Sequence, residues 1–543
     1  MRITWNRHIY ECGDITYAEF AAQQGILGAL GAMVNGKTYS LSAKIESDTD
    51  IRILTYADEE GRRIYERSLQ MLFLAAAHRV NPDITVRFEH SYMQGLYTAL
   101  PGTTVTPDLI RDISREMRAI VDADSVIERL RIPTEEAKRL YADRGEENRL
   151  AILQYRSFDT ITLYRLENEL EYSYGEMVPS AGYIRVFALR PTENGILLDK
   201  PVRNDPSRPV AAEEHPKLLR TYHESAAWSR ILHCSNVPDL NAMTSSDDIR
   251  EFVLVNEGLH TQKVYRIADA FLQSGARILL IAGPSSSGKT TFAQRLRIAL
   301  RVLGRNPVKL SLDDYYRNRD DLPLEADGKP DLESVHALDL PLLQNHLRAL
   351  LRGETVQMPV FDFKTQRRSP ETHPLHLEAD RPILIEGIHA LNPMMTDGID
   401  DSLKFRVYIS ALTMLNLDDH NRIRTTDARL IRRIVRDERA RGTSAAETLD
   451  MWDSVRLGEE KYIFPYQETA DVMFNSSLDY ELAVLKKYAY PLLCDICPEH
   501  PRYTMAQRLV EVLNYIRSAN VEDEIPNDSI LREFIGKSCF ERE

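Results

Sequence analysis

Short apolar runs separated by helical patterns predict a parallel β-sheet in the second half of the chain. The runs lie at residues 278–281, 308–312 and 382–388, and each is typical of a buried strand. After the first run, apolar residues recur every three or four positions, as they do on one face of a helix. That face is formed by Phe292, Leu296, Ala299 and Leu303. Strands and helices in this order predict an α/β domain.

The first half of the chain has a different pattern. Asn35 and Gly36 form a hairpin signal between apolar flanks, and residues 51–56 alternate as a strand does. Residues 1–62 are therefore predicted to be a small β-rich unit. From Ile64 to Val80 the apolar residues change to a helical period, which predicts a long helix.

The chain is predicted to be a multidomain α/β and α+β protein, because 543 residues are too many for one core. Prolines and polar residues between 190 and 250 predict an interdomain connection. The predicted units are a β-rich domain at 1–62, an α+β domain at 63–200, a linker with helices at 201–250, an α/β domain with a mainly parallel sheet at 251–500, and a C-terminal helical tail at 501–543.

Composition and charge limit the classes of function. The 82 acidic residues exceed the 68 basic ones, and a net charge of −14 argues against a surface that coats nucleic acid. No apolar stretch approaches the roughly 20 residues that span a bilayer, and the first residues do not resemble a signal peptide. Scattered cysteines favour a reducing, cytoplasmic location. Cys494 and Cys497 form a lone C-x-x-C pair without a nearby histidine pair, which is weak evidence for zinc or redox chemistry.

A glycine-rich loop joins the first apolar run to the following helix. It reads Gly283-Pro-Ser-Ser-Ser-Gly288-Lys289-Thr290, a G-x-x-x-x-G-K-T pattern in the strand–loop–helix context that the pattern requires. Such a loop turns backbone N–H groups around a phosphate at the positive end of a helix. Lys289 adds a charge for the outer phosphates of ATP, and the Thr290 hydroxyl can bind Mg²⁺. The predicted ATP-binding residues of the loop are Gly283, Ser285, Ser286, Ser287, Gly288, Lys289, Thr290 and Thr291.

Carboxylates follow the next two apolar runs. Asp313 and Asp314 come after residues 308–312, and Glu386 ends the third run. In open α/β sheets the chemistry lies at the carboxyl ends of the strands. Asp313 is therefore predicted to accept the proton of an attacking hydroxyl, and Glu386 to bind Mg²⁺ together with Thr290. The alternative interpretations are a helix N-cap for Asp314 and a simple sheet-edge acid for Glu386.

An arginine-rich helix is predicted between Arg422 and Arg441. Its apolar residues fall on one face and most of its arginines on the other. Runs of charge are usually solvated faces. Beside a triphosphate loop, however, guanidinium groups can stabilise the charge of a transferring phosphoryl group. We therefore predict a lid over the loop, in which Arg432 binds ATP and Arg436 and Arg441 assist catalysis.

The loop, the acids and the arginine helix together resemble the uridine kinase and phosphoribulokinase family, over about residues 275–490. Residues 283–291 resemble its G-x-S-x-S-G-K-T-T loop, and residues 427–437 its D-x-R-L-x-R-R-x-x-R-D lid. Residues 311–316 resemble its S-x-D-S-F-Y segment, whose aspartate is the catalytic base, a role that falls on Asp313. The resemblance implies a P-loop kinase fold, ATP and Mg²⁺ as cofactors, and a nucleoside-like acceptor.

The acceptor site departs from the pattern of this family. The resemblance places acceptor contacts on Tyr316, Glu333, Phe361, Gln366 and Arg368. Glu333 stands where the family has a ribose-binding aspartate. Phe361 and Gln366 stand where a tyrosine and a histidine contact the pyrimidine base. Because sites built for hydrogen bonds discriminate strongly, these changes predict an altered base preference.

Residues 1 to about 200 resemble the N-terminal region of threonyl-tRNA synthetases, which consists of a β-grasp TGS module and an editing-type α+β domain. The resemblance is carried by residues 34–41, 89–97, 132–137 and 178–184. Two metal-binding pairs of the editing site fall on Arg67 and Met71 and on Ser173 and Met177. These side chains are poor ligands for a catalytic metal. The region is therefore predicted to be a binding or docking surface.

The leading hypothesis is a kinase that transfers the γ-phosphoryl group of ATP to a hydroxyl of a nucleoside or related small molecule. A phosphoribulokinase-like kinase for sugar phosphates is an alternative within the same family. The front half favours a second class, a tRNA-binding, translation-linked regulatory P-loop NTPase, although the acidic charge balance counts against RNA binding. An aminoacyl-ester hydrolase would need the missing metal ligands. The tail is predicted to pack on the kinase domain or at a contact of a homo-oligomer.

Overall fold

A computed structural model shows how the buried apolar residues are divided along the chain. One cluster fills the N-terminal sheet, a second surrounds a long helix of the front half, and two more cover the faces of the sheet in the second half. One of these last two also includes front-half residues between 137 and 172. The structure describes all residues except 1, 7, 12, 47–48, 93–94, 157, 193–194, 204, 210–214, 323–330, 332, 363–364, 366, 379 and 542–543.

The N-terminal unit is a five-stranded mixed sheet with one helix. Its elements are β1 (Arg2–Trp5), β2 (His8–Glu11), α1 (Tyr17–Gln23), β3 (Gly31–Val34), β4 (Lys37–Tyr39) and β5 (Thr49–Leu54). The strand order is β2-β1-β5-β3-β4, with β1 parallel to β5 and the other neighbours antiparallel. The hairpin predicted at Asn35 and Gly36 is confirmed, and both residues have left-handed backbone angles, with φ of 49° and 73°.

The α+β unit that follows has two antiparallel sheets around a long helix. Its elements are α2 (Glu59–Val80), β6 (Arg87–Tyr92), β7 (Gly95–Ala99), α3 (Pro107–Asp122), β8 (Glu128–Pro133), α4 (Thr134–Asp143), α5 (Glu147–Leu153), β9 (Thr160–Leu166), β10 (Glu169–Tyr172), β11 (Ala188–Thr192) and β12 (Gly195–Asp199). The sheets have the orders β10-β9-β8 and β11-β12-β7-β6. Helix α2 begins before residue 62, so the predicted domain boundary lies inside a helix.

The connection to the second half combines a short hairpin with three helices. Its elements are β13 (Pro201–Val202), β14 (Asp205–Pro209), α6 (Pro216–Ile231), α7 (Val237–Met243) and α8 (Ile249–Ser274). Helix α6 packs on the last strand of the following sheet, and α8 packs on the helix after the glycine loop. Two of the three connecting helices, α6 and α8, are therefore folded onto the α/β domain.

The α/β domain is built on a parallel sheet of five strands. Its elements are β15 (Ile278–Ala282), α9 (Lys289–Val302), β16 (Val308–Ser311), α10 (Leu340–Leu351), β17 (Thr355–Met358), β18 (Phe361–Asp362), β19 (Arg367–Arg368), β20 (His373–His376), β21 (Ile383–Glu386), β22 (Lys404–Ser410), α11 (Thr425–Arg441), α12 (Ala445–Tyr462) and β23 (Val472–Asn475). The sheet order is β16-β21-β15-β22-β23, and every neighbouring pair is parallel. The three predicted strands are confirmed as β15, β16 and β21.

Three helices complete the chain, namely α13 (Glu481–Cys494), α14 (Tyr503–Asn514) and α15 (Arg532–Ile535). Helix α14 confirms the amphipathic helix predicted in the tail. The short helix α15 lies against α11, so this part of the tail packs on the α/β domain. Among the described residues, no helix is both long and apolar enough to cross a membrane.

The front half binds the segment at residues 416–424, which leads from β22 into helix α11. The Phe88 N–H donates to the Asp419 carbonyl at 2.8 Å, and the Tyr174 hydroxyl donates to the Arg422 carbonyl at 2.6 Å. The buried carboxylate of Glu66 pairs with Arg422 at 3.1 Å and with Arg424 at 2.9 Å. We call residues 416–424 the clasped segment, because contacts from the front half fix its path into α11.

Candidate active site

One cavity opens at the carboxyl edge of the parallel sheet, where β15, β16 and β21 end. Its volume is about 350 Å³. The ends of these strands bring together the glycine loop and the two acids, as the rule for open α/β sheets predicts. The cavity is lined by Ser285, Ser286, Gly288, Lys289, Thr290, Asp313, Tyr316, Arg317, Leu322, Glu333, Phe361, Glu386, Gly387, Ile388, Arg433, Arg436, Arg441 and Glu533.

The glycine loop has the backbone shape of an anion-binding nest. Ser286 has a φ of 59° and Gly288 a φ of 80°, left-handed angles that turn N–H groups inward. Gly283 passes so close to the Ile409 carbonyl that a side-chain carbon would collide with it. The hydroxyls of Ser286 and Ser287 are buried and have no hydrogen-bond partner among the described residues. Buried donors without partners, at the start of a helix, fit a phosphate group.

Lys289 is the first residue of α9, and its side chain lines the cavity. Its Nζ atom donates a hydrogen bond to the Pro284 carbonyl at 3.0 Å, which holds the amino group inside the loop. Burial lowers the pKa of this amino group, while the carboxylates of Glu386 and Glu533 act in the opposite direction. The pKa of Lys289 therefore depends both on its burial in the loop and on these two carboxylates.

Asp313 and Glu386 reach the cavity from neighbouring strands. Burial raises the pKa of Asp313 to about 6, and the Glu386 carboxylate adds to this shift, although the Asp313 side chain remains open to solvent in the cavity. Glu386 is buried and pairs with Lys309 at 3.2 Å. The Asp314 carboxylate accepts the Phe361 N–H at 3.4 Å instead of lining the cavity. Of the two adjacent aspartates, Asp313 is thus the one that faces the loop.

Helix α11 places three arginines at the cavity, namely Arg433, Arg436 and Arg441. All three contact the carboxylate of Asp437, which is 1% exposed: the distances are 3.1 Å from Arg433, 2.7 Å from Arg436 and 3.6 Å from Arg441. Arg433 also donates to the Ser285 hydroxyl at 2.9 Å. One buried carboxylate therefore fixes three guanidinium groups beside the phosphate loop.

Two further arginines of α11 hold the loop from behind. Arg429 donates to the Ser285 carbonyl at 2.9 Å and pairs with Glu459, whose carboxylate accepts the Ser285 N–H at 2.9 Å. Arg432, which was predicted to bind ATP, is fully buried and pairs with Glu481. It does not line the cavity. The arginine series is thus neither a solvated face nor a uniform lid, because its members divide between the cavity and the back of the loop.

Three predicted acceptor residues, Tyr316, Glu333 and Phe361, line the same cavity. The rings of Tyr316 and Phe361 are tilted against each other with centroids 5.7 Å apart. Burial raises the pKa of Glu333 to about 7, against the opposing charge of Arg433. The Glu333 side chain packs over Gly458 so closely that any Cβ atom there would displace it. The side of the cavity that these three residues form is partly apolar and has one carboxyl group.

The other two predicted acceptor residues differ in their placement. Arg368 does not line the cavity. It pairs with Asp339 at 3.1 Å and donates to the carbonyls of Tyr315 and Tyr316 at 3.3 Å each, so it supports the wall from outside. Gln366 lies outside the described residues.

Sequence reasoning missed several residues of the cavity. Arg433 belongs to the recognised arginine series, but spacing alone does not show which arginine turns inward. Glu533 lies 242 residues after Thr291, and its carboxylate accepts the Thr291 N–H at 3.2 Å. No local pattern marks it, since the contact depends on where the tail folds. Arg317, Leu322 and Ile388 follow predicted strands or loops without a motif of their own.

Three of the four positions that align with the editing-site ligands of synthetases have other contacts. The Arg67 guanidinium packs against Gly175 and donates to Glu60 and to the Glu176 carbonyl, at 3.0 Å each. Met71 and Met177 are buried in the apolar core around α2. Across the described part of the chain, no group of three or more His, Cys, Asp or Glu side chains could hold a metal ion.

The two halves of the chain are similar to two different groups of known proteins. The model of the phosphoribulokinase / uridine kinase family matches residues 278–483. Uridine kinase of Bacillus pumilus (strain SAFR-032) is 31% identical over 203 residues, which cover 37% of this chain and 87% of that protein. Uridine kinase of Lactobacillus johnsonii is 30% identical over 215 residues, which cover 39% of this chain and 93% of that protein.

The front half matches a different protein. Threonine–tRNA ligase of Symbiobacterium thermophilum is 33% identical over 183 residues, which cover 32% of this chain but only 28% of the ligase. The resemblance of the front half to threonyl-tRNA synthetases is confirmed, as is the resemblance of the second half to uridine kinases. With its phosphate loop, its parallel sheet and these matches, the chain belongs to the phosphoribulokinase and uridine kinase family.

Proposed function

We propose that the chain transfers the γ-phosphoryl group of ATP to a hydroxyl of a nucleoside or a related small molecule. The observation that carries this proposal is that Asp313, Lys289 and three arginines of α11 face one cavity. A phosphate cradle, a proton acceptor and neutralising charges are what phosphoryl transfer to an alcohol requires. Similarity to uridine kinases supports a nucleoside-like acceptor.

The loop residues bind the phosphates of ATP. The backbone N–H groups between Gly283 and Thr291 and the orphan hydroxyls of Ser286 and Ser287 suit phosphate oxygens. Lys289, Arg436 and Arg441 neutralise the charge that grows on the transferring group. Arg432 acts indirectly, by holding the loop from behind.

Hard oxygen ligands for Mg²⁺ are present in the cavity. The Thr290 hydroxyl and the Glu386 carboxylate both line it, and such oxygens are the ligands that Mg²⁺ prefers. When bound there, Mg²⁺ would neutralise charge on the phosphates of ATP. The loop and the helix dipole of α9 bind and orient the phosphates independently of the ion.

Asp313 serves as the general base. The acceptor hydroxyl oxygen forms a bond to the γ-phosphorus while the bond from that phosphorus to the β-phosphate oxygen breaks, so ADP leaves. The hydroxyl proton passes to the Asp313 carboxylate. A pKa of about 6 suits this step, since the carboxylate is mostly ionised at neutral pH yet basic enough to accept a proton.

Tyr316, Glu333 and Phe361 orient the acceptor, and Gln366 is proposed to complete its contacts. Glu333 can accept hydrogen bonds from a pair of sugar hydroxyls. Phe361 offers a ring for stacking and no hydrogen-bonding group at the side-chain tip. The proposal is thus a nucleoside kinase whose base preference differs from that of uridine kinases.

The front half is proposed to be a TGS-like β-grasp domain at 1–62 followed by an editing-like domain at 63–200 without hydrolytic activity. Its similarity to threonine–tRNA ligase also motivates a second candidate, a tRNA-linked regulatory NTPase. The two candidates differ in what they require. A regulatory NTPase would bind RNA with an affinity that falls steeply with salt, and it would hydrolyse ATP without any acceptor.

An ATP-consumption screen tests the proposed function. Purified protein is incubated with Mg²⁺-ATP and a panel of nucleosides, pentose phosphates and other small alcohols, with Lys289→Ala as the matched blank. We expect at least one nucleoside to give ADP and a phosphorylated product in equal amounts. A pentose phosphate as the preferred acceptor would indicate a phosphoribulokinase-like enzyme. Consumption of ATP that no acceptor changes would contradict the kinase proposal and support the regulatory NTPase.

A further inference from the structure

Two residues of the C-terminal tail lie on the phosphate loop. Ile530 contacts Gly288 so closely that a side-chain carbon on this glycine would collide with it. Three residues later, the Glu533 carboxylate accepts the Thr291 N–H at 3.2 Å and lines the cavity beside Lys289. We call residues 527–541 the C-terminal strap. It supplies the only tail side chain among the described residues that line the cavity.

The amide that Glu533 occupies belongs to the anion site of the loop. Thr291 is the third residue of α9, and the first four N–H groups of a helix have no partner within the helix. These groups carry the positive end of the helix dipole and bind phosphate in P-loop proteins. A carboxylate shares the charge and the hydrogen-bond acceptors of a phosphate oxygen. Glu533 therefore satisfies a donor that would otherwise be free for the nucleotide.

The strap is anchored to helix α11. Arg439 donates to the carbonyls of Glu533 at 3.1 Å and of Phe534 at 3.0 Å, and it pairs with Glu541 at 2.6 Å. The guanidinium of Arg432 stacks on the Phe534 ring at 5.0 Å from its centroid. Within the strap, the Cys539 N–H donates to the Asn527 carbonyl at 2.9 Å. The position of Glu533 is thus set by the same helix that places three arginines at the cavity.

We propose that Glu533 holds the place of a phosphate oxygen of the nucleotide, so that ATP must displace it and the strap determines how tightly the loop binds ATP. This inference rests on the proposed function, because it assumes that the loop binds ATP. Since the strap is tied to α11 through Arg439, displacement of Glu533 also changes the contacts of that helix. A purely structural helix cap would instead leave ATP affinity unchanged or reduced when it is removed.

Nucleotide affinity tests the role of Glu533. Isothermal titration calorimetry with Mg²⁺-ATP is carried out on the full chain, on Glu533→Gln and on Glu524→Gln. The control residue belongs to the same tail but pairs with the exposed Arg250 at 3.0 Å, away from the loop. We expect Glu533→Gln to bind ATP about tenfold more tightly, the size of one charge-assisted hydrogen bond removed from the competing state. The control should bind ATP as the unchanged protein does.

Hydrogen exchange of the unchanged protein gives a second measurement that needs no variant. Addition of Mg²⁺-ATP should accelerate amide exchange in residues 529–541, because the strap leaves the loop. Unchanged exchange at saturating ATP, or equal ATP affinity of Glu533→Gln and the unchanged protein, would overturn the role of Glu533 alone. Absence of ATP binding by all three proteins would overturn the proposed function and this inference with it.

Discussion

Asp313 is the residue on which turnover should depend most. Its carboxylate faces the loop, whereas the neighbouring Asp314 accepts a backbone N–H. We predict that Asp313→Asn lowers kcat by a factor of about 10² to 10⁴, the usual contribution of a general base, and leaves the Kd of ATP nearly unchanged. Steady-state kinetics and ATP titration measure the two effects. Asp314→Asn is the matched control, and equal losses in both variants would remove Asp313 from the mechanism.

The pH dependence of turnover should report the same carboxyl group. Its pKa is raised to about 6 by burial and by the Glu386 carboxylate, so the basic form is lost as the pH falls through this value. We predict that kcat/KM falls as the pH is lowered, with an acid limb from Asp313 whose midpoint lies near pH 6. Glu333 titrates in a neighbouring range, with a pKa of about 7. If Asp313 causes the loss of kcat/KM at low pH, the Glu333→Gln variant should show the same loss near pH 6. If the loss disappeared in this variant, it would be assigned to Glu333 instead.

At the scale of elements, helix α12 holds the phosphate loop through one buried carboxylate. Glu459 accepts the Ser285 N–H and pairs with Arg429, which is 1% exposed. We predict that Glu459→Gln lowers the free energy of unfolding by about 3 to 5 kcal/mol, because it leaves a buried guanidinium without its counter-charge. Denaturant unfolding measures this difference.

The adjacent Glu460 provides a matched control for this helix. It pairs with Arg203 at a half-exposed site. Glu460→Gln should change the free energy of unfolding by about 1 kcal/mol or less, as exposed ion pairs do. A similar loss in both variants would mean that the helix, and not the buried pair, is what the substitutions disturb.

The strands of the α/β domain show how much of the fold the sequence reveals. β15 and the first three residues of β21 are uninterrupted apolar runs because both faces of the sheet are covered, whereas β16 alternates Val308 and Leu310 with Lys309 and Ser311. All three strands were predicted correctly. β22 was not predicted, because Lys404 and Arg406 interrupt the apolar pattern at the start of this strand. Both side chains form ion pairs with Asp401. Helix α11 was predicted as an element, but its direction relative to the loop was not.

Residues of the site that lie within local sequence motifs were predicted, whereas residues placed by packing or by distant contacts were not. The loop, Lys289, Asp313 and Glu386 lie within motifs, so the sequence was sufficient to place them in one cavity. Arg432 was expected in it and lies behind the loop, because helical spacing does not specify which side chain packs inward. Arg368 was expected in it from the family resemblance, but Asp339 and two backbone carbonyls hold it outside the cavity. Glu533 comes from the far end of the chain, and no periodicity or spacing connects it with the loop.

At the scale of the whole molecule, Glu66 joins the front half to the kinase domain. Its buried carboxylate pairs with Arg422, Arg424 and Lys200. Burial acts to raise the pKa of Glu66. The pKa nevertheless lies well below its usual range, because the positive charges of Arg424, Lys200 and Arg422 surround the carboxylate. Its folded-state pKa is depressed, so its contribution to stability is present above the ordinary pKa of glutamate and is lost as the pH falls below that value.

We predict that Glu66→Gln lowers the free energy of unfolding at neutral pH by about 3 to 5 kcal/mol, because three cations lose a buried counter-charge. Kinase activity should fall in the same variant, since Arg422 and Arg424 belong to the clasped segment that leads into α11. Thermal unfolding and steady-state kinetics measure both effects. The exposed Glu135, paired with Lys138, is the control, and Glu135→Gln should be neutral in both. Full activity of Glu66→Gln would show that the front half does not act on α11.

The C-terminal strap has a practical consequence for the preparation of the protein. Glu541 is ion-paired with Arg439, the side chain that also binds the carbonyls of Glu533 and Phe534, so cleavage of the chain within the strap would release one of the anchors of Glu533. Such cleavage by a contaminating protease would change ATP affinity although it lies about 250 positions from the glycine loop. Batches should therefore be checked by intact mass before their nucleotide affinities are compared.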